Sequence, residues 1–88
     1  MSDSTRSTIR EIVAEHGRLA AGIDGLADGE DLYQAGMTSH ATVNVMLALE
    51  DEFEIEFPEE MLEASTFQSI EAIERSVKHL LSLEEASA

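Results

Sequence analysis

The sequence predicts an all-α domain: a small four-helix bundle with a long loop between helices one and two and a short third helix. Three observations carry this reading. Apolar residues recur at three- and four-residue spacing in three separate stretches, the period of helices with one buried face. A glycine- and acid-rich stretch, residues 21–38, separates the first two of them. The one alternating stretch, FEIEFP at 53–58, has no second alternating segment to pair with, and a lone strand is not stable. A chain of 88 residues makes a single domain, 1–88, with an ordered core expected over about 5–81. A domain of this size buries roughly 60% of its unfolded surface, so its core is small and leaves little room for an enclosed substrate cavity.

The elements follow in order. Ile9, Ile12, Val13, His16 and Ala20 place the first helix over 5–20. Thr8 and Glu11 have capping-box spacing, with Ser4 as an earlier cap, and Gly17 and Gly22 weaken the far end. The loop 21–38 holds four glycines and four acids. A calcium loop starting at Asp24 fails, because Leu26 and Ala35 stand at its third and twelfth positions, where oxygen ligands belong. Leu32 and Tyr33 are expected to pin this loop to the core. The second helix spans 39–53, with Thr42, Val45, Met46, Leu49 and Phe53 as its buried stripe. Ser39, Val43 and Leu47, spaced by four, share another face, as extra core or as an exposed apolar strip flanked by Asn44, Glu50 and Asp51. The stretch 53–58 reads as an extended connector burying Phe53, Ile55 and Phe57, and Pro58 opens a short helix at 59–64. Ser65 and Gln68 form a capping box for a last helix over 66–81, with Ile70, Ile73, Val77 and Leu80 inward and Phe67 at its entry. The tail SLEEASA is expected to fray.

Charge is the main compositional signal. Nineteen acids face five bases, a formal net charge of −14. The bases are Arg6, Arg10, Arg18, Arg75 and Lys78, so no Lys or Arg lies between Leu19 and Glu74, while eight acids fall within 50–63. Such a surface repels nucleic acid and anionic lipid and favours partners that present basic patches. The absence of cysteine excludes disulfides and a thiol nucleophile. No apolar h-region opens the chain and no apolar run approaches ~20 residues, so the expectation is a cytoplasmic monomer without membrane insertion.

No catalytic constellation emerges. His16, His40 and His79 lack metal-ligand spacing with one another. Ser39 and His40 are neighbours, and adjacent helical side chains diverge too far to pair as nucleophile and base. No enzymatic activity and no metal are expected. Ser39 is itself ambiguous, because serine commonly caps a helix. Thr38 can cap equally well, which would leave the Ser39 hydroxyl free at a helix N-terminus, where the dipole and open N–H groups favour a phosphate.

The stretch DLYQAGMTSHATVNVMLALEDEFEIEFPEE, residues 31–60, resembles the acyl carrier protein family, and the likeness continues through STFQSIEAI, 65–73. It joins Leu32 before the turn, the turn glycine Gly36, a serine opening helix two, the ALEDEF ending at 48–53 and the later I-x-F-P. The resemblance implies 4′-phosphopantetheine attached to Ser39 through a phosphodiester, with cargo held as a thioester on the arm's thiol; the arm then supplies the thiol that the chain lacks. It also implies docking of basic partner enzymes along helix two, at Thr38, His40, Val43, Asn44, Leu47, Glu50 and Asp51. The implied partners are a phosphopantetheinyl transferase, an acyl- or aminoacyl-loading ligase and a downstream transferase.

The chain departs from the family's pattern at three places. Thr38-Ser39-His40 replaces the usual Asp-Ser-Leu, and Glu54 stands where a glycine is common. These point away from the standard fatty-acid role and toward a dedicated carrier, for example of amino acids, with the cargo left open. The competing reading is a carrier-like acidic adaptor that lacks the arm and acts as a structural or regulatory binding module.

Overall fold

The computed structural model describes residues 4–19, 22 and 25–87, with the side chains of 84–87 outside that description. Ala20, which the sequence placed in helix one, and Asp24, the start of the calcium loop that the sequence excluded, lie outside it. Three helices form: α1 (Ser4–His16), α2 (Ser39–Phe53) and α3 (Ile70–Ser87). Between α2 and α3 run two 3-10 turns, Glu59–Met61 and Ala64–Phe67. The architecture is all-helical as expected, but the fourth, short helix does not form. After Pro58, the first turn closes with Met61 N–H on the Pro58 carbonyl and Leu62 N–H on that of Glu59. Glu63 is then extended, at φ −140° and ψ 162°, so a second turn must start afresh.

Each helix is held by one inward stripe. Ile9 and Val13 of α1, Val45 and Leu49 of α2, and Ile70, Ile73 and Val77 of α3 are completely buried, together with Leu32 of the loop. Full burial of such a side chain contributes about 1.5–3 kcal/mol. Ala41 joins the α2 stripe, while Met46 and Phe53 pack against the core only partly buried. Ile55 and Phe57 are buried as expected of the connector, and the Phe57 and Phe67 rings meet with centroids 5.2 Å apart.

Four boundaries differ from expectation. Helix α1 starts at Ser4, so Thr8 is interior and no Thr8–Glu11 capping box forms. It ends at His16: the Gly17 N–H makes the last helical bond, to the Val13 carbonyl at 2.7 Å, and Arg18 then turns left-handed at φ 54°. Helix α3 starts at Ile70, not 66, and Ser65–Gln68 is no capping box. Ser69 is the cap, its Oγ accepting the Ala72 N–H at 3.0 Å. Gln68 is drawn elsewhere: its carbonyl accepts the Leu32 N–H at 2.7 Å and its amide donates to Asp31 Oδ2 at 3.1 Å. Beyond Leu81 the helical backbone of α3 continues to Ser87.

The loop is fastened from both sides. Leu32 and Tyr33 pin it as predicted, Leu32 fully buried and Tyr33 packed against the core. Asp31 accepts the N–H groups of Tyr33 and Gln34. The Gln68 amide, foremost, and these two N–H groups hold its carboxyl below the ordinary carboxylate range. Gly36, at φ 117°, supplies the left-handed turn that hands the chain to α2. From α1, Arg6 bonds Asp28 at 3.0 Å, and Arg10 bonds both Asp28 and, at 2.8 Å, the Leu26 carbonyl. Arg6 also holds Glu74 of α3 at 2.6 Å, and Lys78 reaches the same carboxylate at 3.2 Å. The stretch without bases is therefore offset in part by bases that folding brings to it.

Candidate functional site

Helix α2 begins as the sequence suggested. Thr38, at φ −90° and ψ 169°, is the N-cap, and its Oγ1 accepts the Ala41 N–H at 3.1 Å. Its carbonyl takes the Thr42 N–H at 2.9 Å and the Thr42 hydroxyl at 2.8 Å. Capping is thus complete without Ser39, which is the first helical residue and exposed. The Ser39 hydroxyl has no partner among the described residues. The first-turn N–H groups of Ser39 and His40 are likewise left open, where the helix dipole is most positive. A free hydroxyl beside two free donors fits a covalently attached phosphodiester: the oxygen is available, and the local field favours the phosphate's charge.

An open groove of about 300 Å³ starts at Ser39. Thr42, Val43 and Met46 of α2 form one wall. Leu62, Glu63, Ala64 and Phe67 of the 3-10 region form the other, and Tyr33 of the loop also lines it. The Tyr33 hydroxyl lies 3.4 Å from Thr42 Oγ1, which ties the loop to the start of α2. The sequence did not reveal Tyr33, Leu62 or Glu63 as site residues, because nothing local says that 62–67 folds back over α2. The one available signal was Leu62, an apolar residue in an acidic stretch, which remains 48% exposed.

The predicted docking residues fall in two groups. Thr38, His40, Val43, Leu47 and Asp51 are exposed. Val43 and Leu47, at 50% and 53%, form an exposed apolar strip behind Ser39 rather than additional core. Asn44 and Glu50 are half-buried. Glu50 is occupied structurally, with Oε2 accepting the Phe57 N–H at 2.9 Å and fastening the connector to α2. His16 lies beside Glu15 at 3.7 Å. Among the described residues, no three His, Asp or Glu side chains gather to hold a metal ion.

Residues 7–74 match the family described as the phosphopantetheine attachment site. The chain is 48% identical over 81 residues, 92% of its length and 98% of the relative's, to an aminoacyl carrier protein of Agrobacterium fabrum. Two solved complexes are similar to it. One holds a carrier protein from Agrobacterium tumefaciens bound to an engineered Bradyrhizobium japonicum glycine:[carrier protein] ligase with ATP, at 49% identity and a TM-score of 0.81, covering 84% of this chain and 96% of that one. The other is the B. japonicum ligase with glycylated carrier protein, at 30% identity and a TM-score of 0.73, covering 84% and 99%.

Proposed function

The chain belongs to the phosphopantetheine attachment-site family, and from that premise we infer that it is an aminoacyl carrier whose 4′-phosphopantetheine is joined to Ser39. The observation that carries the assignment is the division of labour at the start of α2: Thr38 caps, and the Ser39 hydroxyl beside it is exposed and unbonded. When bound, the prosthetic group supplies the thiol on which cargo rides as a thioester. The chain's own residues hold and present that group. The open N–H groups of Ser39 and His40 would favour the charge of the phosphodiester, the groove would take the arm, and α2 would present the docking surface.

The aminoacyl cargo is supported by the relative's name and by the glycine ligase complexes, and the departures at Thr38 and His40 agree with a carrier outside the standard fatty-acid pattern. A loading ligase, a phosphopantetheinyl transferase and a downstream acceptor enzyme are the partners this reading requires. Their basic patches meet Asp51 and the neighbouring acids, while Val43 and Leu47 supply apolar contact. Such complementarity acts mainly on the rate of encounter. The chain performs no bond-making step itself.

Intact mass after incubation with a phosphopantetheinyl transferase and coenzyme A tests the assignment. The wild-type protein gains one arm, and Ser39→Ala gains none while keeping its helicity. An arm on Ser39→Ala would move the site elsewhere.

A further inference from the structure

The groove beside Ser39 has largely apolar walls, yet one of its lining side chains is a carboxylate, Glu63. Nothing among the described residues uses it. Glu63 occupies the N-cap position of the second 3-10 turn, but its side chain makes no capping bond. Only its backbone carbonyl is engaged, by the Thr66 N–H. It forms no ion pair among the described residues and is exposed. A neutral acyl chain laid alongside this exposed carboxylate would gain nothing from its charge. A cation would be welcomed, and no Lys or Arg lines the groove to oppose it. An aminoacyl thioester carries such a cation, an α-ammonium one carbon from the thioester carbonyl, and a fatty acyl thioester does not.

We propose that Glu63 receives the α-ammonium of aminoacyl cargo when the loaded arm lies in the groove, so that the resting carrier favours aminoacyl over neutral acyl cargo there. The proposal rests on the aminoacyl-carrier reading above. The other polar side chains lining the groove, Tyr33, Ser39 and Thr42, carry hydroxyls rather than charges. An exposed ion pair of this kind shifts an equilibrium by about two- to fivefold.

The test uses the full chain bearing the arm. A phosphopantetheinyl transferase installs it from coenzyme A analogues whose terminal sulfur is replaced by nitrogen, so that an isotope-labelled glycyl or an acetyl group is held as a stable amide. Mass verifies one arm per chain. In NMR spectra the amides of Tyr33, Thr42 and Phe67 should move with glycyl cargo and much less with acetyl. The glycyl amine should bind its proton two- to fivefold more tightly in the wild type than in Glu63→Gln, because a nearby carboxylate favours the charged form. Glu60→Gln removes the same charge from outside the groove and should leave the amine as in the wild type. Identical amine titration in wild type and Glu63→Gln overturns the proposal. An equal effect of Glu60→Gln also overturns it, since the general field of the protein would then suffice. Failure of the wild type to take up any arm overturns the Ser39 reading and this proposal with it, whereas an arm taken up without a Glu63 effect overturns this proposal alone.

Discussion

Thr38 and Ser39 carry the same functional group one residue apart, and geometry gives them opposite tasks. Thr38 sits before the helix in extended conformation, so its oxygen curls back to the Ala41 N–H. Ser39 has already entered the helix and has no such donor in reach. Thr38→Ala should therefore cost about 1 kcal/mol of stability, the usual loss of an N-cap. Ser39→Ala should stay within about 0.5 kcal/mol of the wild type, as surface substitutions do. Chemical denaturation of the two variants decides this. If Ser39→Ala is the destabilised one, the serine is the cap and its hydroxyl is not free.

At the scale of the element, α2 ends under strain. Glu54 has φ 55° and ψ 50°, the left-handed conformation that closes a helix and that costs a residue with a Cβ roughly 1–2 kcal/mol. The geometry is enforced by two donors, as the N–H groups of Glu54 and Ile55 both reach the Glu50 carbonyl. Ile55 is then buried, which keeps the chain from relaxing. Glu54→Gly should stabilise the protein by about 0.5–1 kcal/mol, after allowing for the glycine's larger unfolded-state entropy. In thermal melting this is a rise of roughly 2–8 °C. Glu54→Gln keeps the Cβ and removes only the charge. A gain as large in Glu54→Gln would assign the effect to acidic repulsion instead of backbone conformation.

Across the whole molecule, the sparse bases are concentrated on a few acids. Arg6 bridges Asp28 and Glu74, and Lys78 supports the same Glu74. None of the eight acids at 50–63 is in an ion pair among the described residues. The Arg6 hydrogen bond, first, and Lys78 hold the Glu74 carboxyl below its ordinary range, although burial opposes them. Because the folded pKa is lowered, the resulting stability is present above the ordinary carboxylate range and is lost as pH falls through the folded value. Glu74→Gln should therefore destabilise the protein near neutral pH, by about 1 kcal/mol, since Arg6 keeps Asp28 as a partner and Lys78 is exposed to water. The variant should also lose less stability than the wild type on acidification. Urea titrations of both proteins at neutral and acid pH measure it, and parallel acid limbs would remove Glu74 from the account.

What the sequence determined by itself is local. Apolar spacing placed α2 at its full extent and named Val45 and Leu49 of its buried stripe, though it missed Ala41, and Thr42, Met46 and Phe53 are only half-buried. The order of Thr38 and Ser39 offered two equal caps, and the extended backbone of Thr38 decided between them, whereas the neighbouring motif already carried the family. The boundaries of α3 were not legible in the same way. Ser65–Gln68 and Ser69–Ala72 both offer a capping geometry, and only the loop residues Asp31 and Leu32, far away in sequence, draw Gln68 out of the competition. The same holds for the groove, which exists because Leu62 to Phe67 fold back over α2, and for Arg6 and Arg10, whose partners lie in the loop and in α3. Short-range hydrogen bonding and periodicity are written in consecutive residues, whereas the choice between locally equal alternatives belongs to contacts that only the folded chain makes.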